Sequence, residues 1–114
     1  MAEHDELEVE PNQVARWQVD GDTQLVDVRE RYEREAGYID GSRHIELTSL
    51  TEQAGSIARE RPVVFYCRVG ARSQMAAQAF RAAGFEAYSL SGGLVRWAQE
   101  GLPIAPEGGS VANH

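Results

Sequence analysis

The chain has 114 residues, 42% hydrophobic and 25% charged, which suits one folded domain and leaves little room for a second. Its net charge of −7 sets nucleic acid and anionic membranes aside as partners, since either would bind against the overall field. All eleven basic residues are arginine, which excludes a Schiff-base lysine or a Walker-type phosphate loop, and the single cysteine, Cys67, excludes an internal disulfide and a multi-cysteine metal site.

Along the chain, Met1 to Glu10 is acidic where a secretory signal is basic and then apolar. No run reaches the ~20 apolar residues that cross a bilayer, so a cytoplasmic location is expected. Residues 1–6 are expected to be flexible, 7–104 to fold, and 105–114 to form a flexible tail rich in glycine, proline and small polar residues. Leu7-Glu8-Val9 suits an edge strand. Pro11 to Gln18 opens with a proline that fits a first helical turn and sets Val14, Ala15 and Trp17 near one face. Gln24 to Val28 reads as a buried strand, and at its end Asp27 and Arg29 suit a structural ion pair. His44 is assigned no chemistry, and Glu46 to Glu60 is expected to hold one or two short helices. With His4 and His114 far from it in sequence, no metal cluster or other cofactor is expected.

Val63 to Tyr66 is apolar throughout, as in a strand covered on both faces. Ser73 to Ala83 places Met75, Ala76, Ala79, Phe80 and Ala83 on one helical stripe, with Gly84 where a left-handed cap is wanted. Ala87 to Leu90 is a third buried strand, and Leu94, Trp97 and Ala98 mark a helix between Ser91-Gly92-Gly93 and Gly101. Trp17, Phe80 and Trp97 are expected in the core. The alternation predicts an α/β fold with a central, mostly parallel sheet of about five strands and helices on both faces.

Chemistry concentrates where strand, loop and helix meet, at Cys67-Arg68-Val69-Gly70-Ala71-Arg72-Ser73. Open α/β sheets bind ligands beyond the carboxyl ends of their strands, and Cys67 follows Tyr66 there. Gly70 permits a curled backbone whose N–H groups point inward as an anion nest, and the following helix adds its positive end. Arg68 and Arg72 bring two permanent positive charges, and together these features favour an anionic sulfur at Cys67. Such a thiolate suits attack on an electrophilic sulfur in an anionic donor, with the transferred sulfur stored on Cys67. The thiol is expected in a loop that solvent reaches, contributing little packing. Salt is expected to slow loading by screening the two arginines.

The segments Leu25-Val26-Asp27-Val28-Arg29-Glu30, Gly37-Tyr38-Ile39-Asp40-Gly41-Ser42, Val64 to Ser73, Gly84-Phe85, and Ser91-Gly92-Gly93 through Trp97 to Ile104 together resemble the rhodanese domain. The resemblance covers about Leu7 to Ile104. It implies a rhodanese-like fold and a sulfurtransferase whose catalytic Cys67 opens a six-residue loop, Cys67 to Arg72. A sulfane sulfur would pass from a donor such as thiosulfate to cyanide or a thiol, a protein acceptor included, through a Cys67 persulfide. Two other readings use the same loop: a persulfide relay or docking module, and a cysteine-dependent phosphatase or arsenate reductase. Against the phosphatase, four residues separate Cys67 from Arg72 where that pattern has five, and no general acid is evident.

Overall fold

The computed structural model describes residues 5–113; His4, His114 and the first four positions of the expected flexible N-terminus lie outside them. Five strands, β1 (Glu8–Val9), β2 (Gln24–Asp27), β3 (Arg43–His44), β4 (Val63–Tyr66) and β5 (Ala87–Leu90), form one sheet in the order β1-β5-β4-β2-β3. Every neighbouring pair is parallel, so the sheet is parallel throughout. The helices are α1 (Pro11–Asp20), α2 (Arg31–Ala36), α3 (Leu50–Gln53), α4 (Ala71–Ala82) and α5 (Gly93–Gln99), with short 3₁₀ turns on either side of α3.

Strand periodicity sorts the core into two layers. Val26, Val63, Phe65 and Ala87 join Leu50 of α3 and Ala76, Ala77 and Phe80 of α4 on one face. Leu25, Val64, Tyr66, Tyr88 and Leu90 join Val14 and Trp17 of α1 and Leu94 and Trp97 of α5 on the other. Helices therefore cover both faces, as expected. Trp17, Phe80 and Trp97 are all buried.

The stripe read for α4 is rotated. Its buried residues are Ser73, Ala76, Ala77 and Phe80, the i, i+3, i+4, i+7 set of a docked helix. Met75 is 61% exposed, and Ala79 and Ala83 are exposed as well. Gly84 does take the left-handed conformation after the helix, at φ +94°. Two elements were not foreseen: β3, two residues long, and α2, set by a capping box in which Glu30 and Glu33 each accept the other's backbone N–H.

Residues 105–113, expected as a flexible tail, run back along α2. Ala105 and Tyr38 exchange two backbone hydrogen bonds of 2.8 Å, and Ser110 N–H donates to Ala36 O at 2.8 Å. Gly37 lets the segment pass: a Cβ there would sit 2.8 Å from Ser110 N and from Ile104 Cγ2. No helix among the described residues is long and apolar enough to cross a membrane.

Candidate functional site

Parallel strands deliver Cys67 to the carboxyl edge of the sheet, where the chain turns through Arg68, Val69 and Gly70 into α4. Gly70 adopts φ +115°, the left-handed region open to glycine, and its N–H turns in to donate to Cys67 Sγ at 3.1 Å. From the other side α5 pins the start of the loop. Leu94 N–H donates to Cys67 O at 2.8 Å and Val95 N–H to Arg68 O at 3.0 Å. Gly93 makes that approach possible, since a Cβ there would lie 2.5 Å from Arg68 C and 2.6 Å from Cys67 O.

Cys67 is only 1% exposed and packs with the core layer beneath α4, which corrects the expectation of a solvent-reached thiol with little packing. The reason is the curl itself, which closes the loop over the sulfur. Ser73, fully buried, places its Oγ 3.5 Å from Sγ, 3.2 Å from Gly70 O and 2.7 Å from Ser89 Oγ. Val69 and Ala71 are exposed on the outside of the loop. The first-turn N–H groups of Ala71, Arg72 and Ser73 have no intrahelical acceptor, so an anion at this edge meets them together with the helix dipole.

The two loop arginines part company. Arg72 makes a bidentate pair with the fully buried carboxylate of Glu33, at 2.8 and 3.0 Å. That contact holds the guanidinium's proton more tightly than usual. Arg68 Nη2 reaches Asn113 Oδ1 at 3.4 Å, while its Nε is buried with no partner among the described residues. A buried, unmet N–H donor is costly, so Arg68 keeps hydrogen-bonding capacity that its contacts among the described residues do not use. A cleft of about 270 Å³ opens beside Arg72, lined by Val28, Glu30, Glu46, Leu47 and Thr48. A larger apolar groove of about 560 Å³, containing Ile57, Phe80 and Phe85, shares no residue with the loop.

Sequence reasoning passed over Glu33, Ser89 and Asn113. Glu33 carries a local signal, the Glu30-x-x-Glu33 spacing of a capping box, whereas Ser89 and Asn113 meet the loop only through the fold. Asp27 and Arg29 form the expected structural pair, fully buried, with Arg29 Nε and Nη2 at 2.9 and 2.8 Å from the Asp27 carboxylate. His44 sits at the end of β3 with Nε2 2.7 Å from Arg29 O.

The model of the rhodanese-like domain family matches residues 10–100. YqhL of Bacillus subtilis is 44% identical over 75 residues, which are 65% of this chain and 60% of that protein. The thiosulfate sulfurtransferase GlpE of Pseudomonas aeruginosa is 37% identical over 90 residues, covering 78% of this chain and 81% of its own. A crystal structure of a rhodanese-related protein from Thermoplasma volcanium superposes with a TM-score of 0.80 at 24% identity, over 88% of this chain and 98% of the other, a likeness of fold.

Proposed function

Since the chain belongs to the rhodanese-like domain family, we propose that it transfers the sulfane sulfur of an anionic donor such as thiosulfate to cyanide or a thiol. In the first step the Cys67 thiolate attacks the outer sulfur of thiosulfate. The donor S–S bond breaks, sulfite leaves with the bonding pair, and Cys67 keeps the sulfur as a persulfide. Cyanide or a thiolate then takes that sulfur and returns Cys67 to its starting state. Arg68 contacts the donor anion, and the loop backbone from Val69 to Ser73 cradles the charge on the stored sulfur.

The observation that carries this reading is the seat of Sγ, held beneath a six-residue loop that leads into a helix, with an inward amide at 3.1 Å. Thiosulfate itself is supported by the relative named for that activity. A protein acceptor and a cytoplasmic location are part of the same proposal.

Intact-mass spectrometry after incubation with thiosulfate tests it, and Cys67 as sole thiol makes the location unambiguous. A species heavier by one sulfur atom, discharged by cyanide, is expected in the wild type and absent from Cys67→Ser. An unchanged wild-type mass with thiosulfate and with persulfide donors refutes the proposal.

A further inference from the structure

Ser89 lies in the middle of β5, on the face it shares with Ala87, under α4 and against a layer otherwise built from Phe65, Ala76 and Ala77. It is fully buried. A hydroxyl in such a layer costs stability unless it is hydrogen-bonded, and the side-chain partner of Ser89 is Ser73 Oγ, at 2.7 Å. With no other acceptor among its described contacts, Ser89 donates its proton to Ser73. That donation leaves Ser73's own single proton to point at one of two acceptors, Gly70 O at 3.2 Å or Cys67 Sγ at 3.5 Å.

The choice follows the state of the sulfur. When Cys67 is a thiol, its S–H donates to Ser73 and Ser73 donates to Gly70 O. When the proton has left, Ser73 turns its own proton to Sγ. Gly70 O does not become an orphan, because Gln74 N–H already donates to it at 2.9 Å. In the thiolate state the oxygen of Ser73 loses the S–H and keeps only the donor from Ser89. Ser89 therefore matters more to the anion than to the neutral thiol.

We propose that Ser89 is a positioning residue for the nucleophile, holding Ser73 as a hydrogen-bond donor to the anionic sulfur of Cys67. This rests on the reading of Cys67 as the reacting group, and it holds for any chemistry that needs the thiolate.

Alkylation of Cys67 by iodoacetamide, followed as a function of pH, reads the thiolate without requiring sulfur transfer. In Ser89→Ala the midpoint of the profile should move to higher pH with the high-pH plateau unchanged. Below the midpoint the rate should fall roughly three- to tenfold, the loss of one buried hydrogen bond. Ser89→Thr, which keeps the hydroxyl, should restore the wild-type profile. In a Ser73→Ala background, Ser89→Ala should have no further effect. An unmoved midpoint in Ser89→Ala overturns the proposal, as does an equal shift when Ser73 is already alanine. A protein that alkylates as described yet never carries sulfur sinks the sulfurtransferase reading alone.

Discussion

Glu33 shows how a single side chain decides what a loop arginine does. Its carboxylate caps α2 through Glu30 N–H at 3.0 Å and receives both Arg72 contacts, so it ties the helix to the loop. From sequence, Arg72 reads as an anion ligand; in the fold it already has one, supplied by the chain. Arg72→Ala takes the bidentate cation from a buried carboxylate that keeps the Glu30 N–H, which costs about 2–4 kcal/mol, discounted because the arginine is 18% exposed. We expect a large drop in the urea midpoint for Arg72→Ala and recovery of about half of it in Arg72→Ala with Glu33→Gln, where the buried group that lost its cation is neutral. The thiosulfate KM should recover in parallel. A KM that stays more than tenfold high in the stable double variant would make Arg72 a substrate ligand after all.

At the scale of elements, legibility followed burial and length. β4 and β5 carry their boundaries in the sequence because every residue in them is buried, and in β4 the run Val63–Tyr66 is too short for a helix and bounded by turn residues. β3 has no such run: Arg43 and His44 pair in register with Val26 and Asp27, and that pairing, not their side chains, makes them a strand. α2 spans six residues rich in charge and is held by its cap, so its periodicity is too short to see. The loop was readable as a motif, while its closure over Cys67 and the Glu33 and Ser89 contacts depend on long-range packing.

Tyr66, at the end of β4, links that strand to the turn before β3. Its Oη accepts Ile39 N–H at 3.0 Å and lies 2.9 Å from Ser42 Oγ. Burial, and then the negative charge of Asp27, push its phenol up to about 12. The neutral phenol is thus favoured in the folded state. Its contribution is complete below pH ~10 and is lost as pH rises from ~10 to about 12, at about 1.4 kcal/mol per pH unit. Tyr88 is shifted upward too, by burial and by its bond to Glu86, and adds to the alkaline loss. Tyr66→Phe should therefore be less stable at neutral pH, with Ile39 N–H left unmet, yet show a shallower decline in alkali. An unchanged alkaline slope would remove Tyr66 from this account.

For the whole molecule the sign of the salt effect depends on which charges a donor meets first. The sequence, with Arg68 and Arg72 beside Cys67, led to the expectation that salt slows loading. In the fold Arg72 is neutralised by Glu33, and Glu30 and Glu46 line the cleft beside it. Arg68 remains as the local attraction, acting at contact. Against it stands a net charge of −7 spread over a body of radius of gyration 12.8 Å. Unscreened in water, that charge repels a dianion at the surface by roughly 4 kcal/mol. The Debye length shrinks from about 30 Å at 0.01 M to about 8 Å at 0.15 M, so salt removes most of the long-range repulsion before it weakens a contact of about 4 Å. The second-order rate of thiosulfate loading should accordingly rise about three- to tenfold over that range of ionic strength. Alkylation by iodoacetamide, a neutral reagent aimed at the same sulfur, should stay nearly flat. A loading rate that falls with salt while alkylation does not would mean that the loop cations, Arg72 included, outweigh the molecule's net charge at the distance where the donor is captured.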